Sequence, residues 1–196
     1  AYEIVSRDWS SDVCSSDLAR ALKVPDALPV TTDRLNRGLS GRVEDVFRQY
    51  IGPETTVAVL GLSYKPESHV IEESAAMMLV RNCIQHGIRV VGYDPLAGEM
   101  ANADLRGQAV VLDSAAACLM QADVVLITTP DPEFAKLEAK DFTDGGREVV
   151  VVDFWRILAG KLDAKTGIRY VPYGRGGSAD AHVSHLQELW TAGQQV

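Results

Sequence analysis

The sequence lacks three features that would each point to a class of function. No apolar run approaches the roughly 20 residues of a membrane-spanning helix. The start shows no signal peptide, with its charged, apolar and small-residue regions. The only cysteines, Cys14, Cys83 and Cys118, have no metal-binding spacing and form no even set for disulfides. We therefore predict a cytoplasmic protein that uses no membrane and no metal.

Positive charge is also scarce. The 196 residues include 19 Lys and Arg against 27 Asp and Glu, which gives a net charge of −8. Because nucleic-acid binders neutralise phosphates with clustered basic residues, this balance argues against nucleic acid as a partner. An acidic protein can still bind one anionic ligand through a local site.

Residues 1–30 differ in character from the rest of the chain. The stretch 6–18 is rich in Ser and Asp and has neither a helical nor a strand period, which is typical of a solvated tail. Residues 8–18 also resemble the translation of a sequencing-library adapter. We therefore expect residues 1–30 to be a disordered or artefactual tail, with the natural sequence beginning near Ala19.

Beyond residue 30, segments of helical and strand length alternate. Capping residues from Thr31 and a stop at Gly52 predict a linker helix over 31–52. Short apolar runs predict six strands, at 56–60, 88–93, 109–112, 123–128, 148–153 and 169–173. Helices are predicted at 71–86 and 114–122, with a short helical or irregular segment at 134–142. The alternation predicts an α/β fold over residues 53–196, a Rossmann-like three-layer sandwich with a mainly parallel sheet.

The turn after the first strand departs from the usual dinucleotide-binding pattern. Ligands of such sheets bind beyond the carboxyl ends of the strands, near the point where the strand order reverses. Of the Gly-x-Gly-x-x-Gly turn that brings backbone against a pyrophosphate, only Gly61 is present, and Ser63 and Pro66 replace the other glycines. Lys65 could pair with a phosphate as a point charge, or the segment could be a plain turn.

Polar residues follow three of the later strands. Asp94 could recognise a ribose or could merely end its strand. Thr128 could bind a polar ligand, and Arg156 could form a forked contact with a phosphate or carboxylate. Trp155 could stack on a base or simply cover the sheet. Each signal is weak alone, but together these residues line one edge of the predicted sheet.

Four segments, in this order, resemble the C-terminal domain of the UDP-glucose/GDP-mannose dehydrogenase family. They are VAVLGLSYKP at 57–66, GYDP at 92–95, ADVVLIT at 122–128 and VDFWR at 152–156. The resemblance extends over about residues 36–176. It implies a domain that binds the nucleoside diphosphate of a UDP-sugar, within an enzyme that oxidises the sugar C6 alcohol to a carboxylate with NAD.

The resemblance also implies parts that this sequence does not contain. In the family, NAD is bound mainly by an N-terminal Rossmann domain, and a central segment carries the catalytic cysteine and much of the homodimer contact. Neither lies upstream of Leu35, and Cys83 and Cys118 do not occupy the catalytic motif. We therefore expect a truncated chain that binds a UDP-sugar and contributes no catalytic residue. The predicted binding residues are Gly61, Tyr64, Lys65, Asp94, Thr128 and Arg156.

One run departs from the family pattern, and two other functions remain open. Glu72 stands where the family has an arginine, which reverses the charge beside a pyrophosphate site. The first alternative is a non-catalytic nucleotide-binding regulatory module. The second is a different Rossmann-like oxidoreductase that binds NAD directly, although the missing second and third glycines speak against it.

Overall fold

The strands form a six-stranded parallel sheet in the order β3-β2-β1-β4-β5-β6. The computed structural model describes residues 15–38, 45, 48–143 and 146–174. The strands are β1 Thr56–Leu60, β2 Arg89–Tyr93, β3 Val110–Val111, β4 Val124–Ile127, β5 Val149–Asp153 and β6 Ile168–Pro172. Each predicted strand is present within one residue at either end. The strand order reverses between β1 and β4, so the predicted Rossmann-like fold class is confirmed.

The helices agree less well with the sequence-based expectation. Those described are α1 Ser15–Leu22, α2 Ala27–Arg37, α3 Ala75–Gln85, α4 Gly98–Leu105, α5 Ala115–Leu119 and α6 Ala139–Thr143, with a 3₁₀ helix at Phe134–Lys136. Helix α3 begins later than predicted, because the Ser74 hydroxyl caps it by accepting from the Met77 N–H at 3.3 Å. Helix α4 was not predicted at all. Within the described residues, no helix is long and apolar enough to cross a membrane.

Residues 15–37 form two helices where an irregular tail and a later helix start were expected. Helix α2 begins at Ala27, ahead of the predicted cap at Thr31. The Thr32 hydroxyl donates to the Leu28 carbonyl at 3.0 Å, a bond to the residue four back that places it inside the helix. Residues 1–14, 39–44 and 175–196 lie outside the described residues. The domain boundaries at 30 and 52 and the origin of residues 8–18 therefore stay predictions.

Both faces of the sheet are covered by apolar residues. Successive side chains of a strand point to opposite faces. In β1, Val57 and Val59 therefore pack in a cluster with α3 and α4, whereas Ala58 and Leu60 pack in a cluster with α5, α6 and the 3₁₀ helix. All five residues of β1 are buried, as expected for a central parallel strand. The result is the predicted three-layer arrangement.

The connection from β5 to β6 has no α-helix. A parallel crossover needs a dozen or more residues and is usually helical. Here residues 154–167 form successive turns instead. Leu158 and Leu162 from these turns are fully buried against the sheet. They supply the apolar cover that a helix would otherwise provide, and they leave the start of this connection at the carboxyl edge of the sheet.

Candidate functional site

The candidate site is the carboxyl edge of the sheet around β1. This strand pairs with β2 on one side and with β4 on the other. The Gly61 N–H donates to the Tyr93 carbonyl at 2.8 Å, and the Thr128 N–H donates to the Leu60 carbonyl at 3.0 Å. The structure therefore brings the turns that follow these three strands together at the point where the strand order reverses.

Gly61 allows two backbone segments to approach closely. Its φ is +99°, in the region that favours glycine. A Cβ atom added there would lie 2.9 Å from the Thr129 backbone nitrogen and closer still to the Thr129 hydroxyl oxygen. Thr129 is itself buried, so it has little room to move. Packing between the β1 and β4 turns explains this glycine without any ligand.

Thr128 joins the end of β4 to the end of β1. Its hydroxyl lies within hydrogen-bonding distance of two carbonyl oxygens, those of Leu60 at 2.9 Å and of Gly61. Its own carbonyl accepts the indole N–H of Trp155 at 2.8 Å. The hydroxyl proton is thus committed within the protein. The lone pairs of that oxygen can still accept a hydrogen bond from a ligand.

Asp94 is a buried connector between two loops. The residue is 5% exposed, and its carboxylate accepts four backbone N–H bonds. One oxygen accepts from Leu62 at 2.7 Å and from Ser63 at 2.9 Å. The other accepts from Leu96 at 3.0 Å and from Ala97 at 2.8 Å. Because a carboxylate has about four lone-pair sites, these bonds fill it. The contact with a ribose stays a prediction.

Asp153 makes the same kind of connection at the end of β5, and the sequence reasoning did not assign it this role. It is fully buried. One oxygen accepts from the Trp155 N–H at 3.0 Å, and the other accepts from the Leu158 N–H and the Tyr170 hydroxyl, each at 2.9 Å. Burial, together with the hydrogen bond to Asp153, raises the pKa of Tyr170. The phenol therefore stays protonated and donating at neutral pH.

The loop of residues 61–74 presents Tyr64 and Lys65 to solvent. Its base is closed by two bonds, from the Tyr64 N–H to the Val70 carbonyl at 2.7 Å and from the Ser74 hydroxyl to the Ser63 carbonyl at 3.3 Å. Tyr64 is 62% exposed, and Lys65 is exposed as well. The predicted phosphate-binding lysine therefore stands on a closed, anchored loop beside the switch point.

Arg156 lies exposed after β5 with a strained backbone. Its φ is +58°, the left-handed conformation, which carries a penalty of roughly 1–2 kcal/mol for a residue with a Cβ atom. The N–H groups of Trp155 and Leu158, on either side of Arg156, donate to the Asp153 carboxylate and hold the turn in this form. In the sheet, β4 separates the strand that precedes Arg156 from the strand that precedes Lys65.

A cleft of about 420 Å³ opens beyond β2 and β3, next to the switch point. Its lining includes the acidic residues Asp94, Glu99 and Asp113 and, among the described residues, no Lys or Arg. Tyr93 also lines it, and burial, reinforced by a hydrogen bond to Glu133, raises the pKa of this phenol to about 12. The charge of this cleft is wrong for a phosphate group.

The two described cysteines are buried, as predicted. Cys83 and Cys118 are both inaccessible to solvent and lie in the clusters on opposite faces of the sheet. Burial raises the pKa of the Cys118 thiol to about 12. Since the thiolate is the reactive form, Cys118 is a packing residue rather than a nucleophile.

Comparisons with known proteins point to one family. A family profile described as "UDP-glucose/GDP-mannose dehydrogenase family, UDP binding domain" matches residues 58–160. The UDP-glucose 6-dehydrogenase AglM of Haloferax volcanii is 38% identical over 136 residues, which is 68% of this chain and 30% of that protein. A UDP-glucose 6-dehydrogenase of Rhizobium meliloti is 33% identical over 119 residues, which is 61% of this chain and 27% of that protein.

Solved structures agree with the sequence relatives. A UDP-glucose dehydrogenase from the archaeon Pyrobaculum islandicum superposes with a TM-score of 0.58 at 26% identity, covering 79% of this chain and 34% of that one. An NDP-N-acetyl-D-galactosaminuronic acid dehydrogenase from Methanosarcina mazei superposes with a TM-score of 0.63 at 17% identity, covering 82% of this chain and 36% of that one. At this identity the likeness concerns the fold alone. The chain thus spans about a third of the length of the proteins it matches.

The first prediction concerns the close approach at Gly61. Gly61→Ala adds a Cβ atom against the Thr129 backbone, so we expect the free energy of unfolding to fall by at least about 3 kcal/mol. Gly107→Ala is the matched control, because Gly107 has a φ of +79° but nothing within 4 Å of an added Cβ. It should lose only the conformational part, about 1–2 kcal/mol. Urea denaturation measures both free energies of unfolding. Equal decreases for Gly61→Ala and Gly107→Ala would show that the contact with Thr129 is unimportant.

The second prediction concerns the connector Asp94. Asp94→Asn replaces one acceptor oxygen with an NH₂ group, which then faces two backbone donors. We expect the free energy of unfolding to fall by about 2–4 kcal/mol. Asp113→Asn, at an exposed carboxylate of the same cleft, should change it by less than about 0.5 kcal/mol. Denaturation curves that coincide for the two variants would contradict the connector role.

Proposed function

The chain belongs to the UDP-glucose/GDP-mannose dehydrogenase family, and from this premise we propose that the carboxyl edge of its sheet binds the nucleoside diphosphate of a UDP-sugar. The observation that carries the proposal is the anchored loop 61–74, which holds the exposed Lys65 beside the switch point. A compact ammonium group there can pair with a phosphate as a point charge. Arg156, exposed after β5, can add a forked contact.

Side chains, rather than a backbone cradle, carry the phosphate recognition in this proposal. The N–H groups of residues 61–64 are all used within the protein: Gly61 donates to Tyr93, Leu62 and Ser63 donate to Asp94, and Tyr64 donates to Val70. None of these amides is left to point at a pyrophosphate. We therefore expect the cations at the edge, rather than the N–H groups of residues 61–64, to hold the ligand.

The same hydrogen bonds argue against NAD as the ligand of this turn. A dinucleotide turn leads directly into a helix whose free N-terminal amides face the pyrophosphate. Here α3 begins only at Ala75, and its cap Ser74 already binds the Met77 amide. The residues of this chain do not fit that cofactor. The NAD used by the family is therefore proposed to be bound by another part of the whole enzyme.

For the whole enzyme, we propose oxidation of the C6 alcohol of a UDP-sugar to a UDP-uronic acid, with hydride transfer to NAD, in a cytoplasmic homodimer. The names of the relatives, UDP-glucose 6-dehydrogenases, support this reaction class. In this proposal, this chain binds the nucleoside diphosphate part of the substrate. The described cysteines are buried in packing clusters, so the chemistry at C6 is assigned to the rest of the enzyme.

The third prediction tests the phosphate contact. Isothermal titration should detect UDP binding by this chain, and Lys65→Met should weaken it roughly tenfold or more, since a hydrogen bond to a charged group contributes about 1.5–3 kcal/mol. The matched control is Lys140→Met, because Lys140 is an exposed lysine of α6, away from the carboxyl edge. Failure of UDP to bind, or equal effects of the two substitutions, would refute the proposal.

The fourth prediction separates binding from backbone strain at Arg156. Arg156→Ala and Arg156→Gly both remove the guanidinium, so each should weaken UDP binding to a similar extent. Only the glycine relieves the positive φ, so Arg156→Gly should be about 1 kcal/mol more stable than Arg156→Ala. Thermal unfolding without ligand measures this difference in stability between the two variants. Unchanged UDP affinity in both variants would remove Arg156 from the site.

A further inference from the structure

Trp155 is held rigidly at the carboxyl edge without being buried there. Its backbone N–H donates to Asp153 at 3.0 Å, and its indole N–H donates to the Thr128 carbonyl at 2.8 Å. Nevertheless, 55% of the residue is exposed. A large aromatic ring is therefore fixed at both its backbone and its indole end while much of its surface stays in water.

Folding alone does not account for this arrangement. Burial of a large aromatic side chain stabilises a protein, whereas fixing one with more than half of its surface in water gives up rotamer entropy and forgoes much of that gain. The indole N–H is satisfied by Thr128 rather than by solvent, so the ring direction is set by the protein. A rigid aromatic surface that is already oriented is what a planar ligand needs for stacking.

The position of the ring relates it to the phosphate contacts. The carbonyl that holds the indole belongs to Thr128, whose hydroxyl bonds to the end of β1 at the switch point. The next residue in the chain is Arg156, whose guanidinium is exposed. Trp155 is therefore bonded to the end of β4 at the switch point and is adjacent in the chain to one of the two proposed phosphate-binding cations.

We propose that Trp155 is the stacking surface for the uracil base of the bound nucleotide. The proposal rests on UDP binding at this edge and adds the group that recognises its base. Uracil has a planar π-face, and stacking of a base on an aromatic side chain contributes about 1–3 kcal/mol per base. Asp153 acts here as a positioning residue, because its carboxylate accepts a hydrogen bond from the backbone N–H of Trp155.

The experiment compares variants of Trp155 by titration with UDP. Trp155→Leu removes the aromatic face and should weaken UDP binding roughly tenfold. Trp155→Phe keeps an aromatic face but loses the bond to Thr128, so its affinity should fall between those of the wild type and Trp155→Leu. Met120→Ala, at a residue that is exposed at the C-terminal end of α5, is the control and should leave the affinity unchanged. Circular dichroism checks that each variant is folded.

A double variant distinguishes stacking from an indirect effect through Arg156. If Trp155 contacts the base, Trp155→Leu combined with Arg156→Ala binds UDP more weakly than either single variant, because each substitution removes a different contact with the nucleotide. Coupling between these neighbouring residues changes the size of the combined loss but does not remove it. If the double variant binds as well as Arg156→Ala alone, Trp155 only positions the arginine and the proposal fails. It also fails if Trp155→Leu binds like the wild type, or if Trp155→Phe binds as weakly as Trp155→Leu.

A failure of the proposed UDP binding would give a different titration result. If the wild-type chain does not bind UDP, nucleotide binding by this edge is refuted. If the wild type binds UDP and Lys65→Met weakens it while Trp155→Leu does not, the phosphate site stands and only the stacking role is lost.

Discussion

The carboxylate of Asp94 determines the shape of the carboxyl edge. It accepts four backbone N–H bonds, two from the turn after β1 and two from the turn after β2. A buried carboxylate without such donors would be strongly unfavourable, so the four amides and the acid depend on one another. The loop 61–74 leaves the sheet from this point. The place of Lys65 therefore follows from a residue that lies 29 positions later in the sequence.

Asp153 has the same structural role as Asp94, on the other side of the switch point. Its carboxylate holds the turn of residues 154–158 from beneath, fixes the backbone of Trp155 and stabilises the left-handed conformation of Arg156. Two buried acids thus shape two turns. The turn after β1 leads into the loop that presents Lys65 to solvent together with Glu67, Glu72 and Glu73, and the turn after β5 presents Trp155 and Arg156.

The parts that the sequence predicts well are those determined by local pattern. Runs such as Val124–Ile127 are apolar and rich in β-branched residues, so the strands and their parallel arrangement could be predicted. Helix α4 could not, because only Ala101 and Leu105 of its residues are buried and its polar residues give little helical periodicity. The roles of Asp94 and Asp153 depend on which amides tertiary packing brings to them. The sequence could indicate only that an acid follows β2 and that another ends β5.

The charge of the whole chain is a poor guide to what this edge binds. Exposed charges farther away than about 8 Å are largely screened at physiological ionic strength. Asp94 and Asp153 are surrounded by N–H dipoles that face their oxygens. The acids that can oppose an anionic ligand include those that share the loop with Lys65, namely Glu67, Glu72 and Glu73, all exposed. Because Glu72 stands where the family resemblance implies an arginine, we expect the charges on this loop to affect the binding of a diphosphate more than the net charge of −8 does.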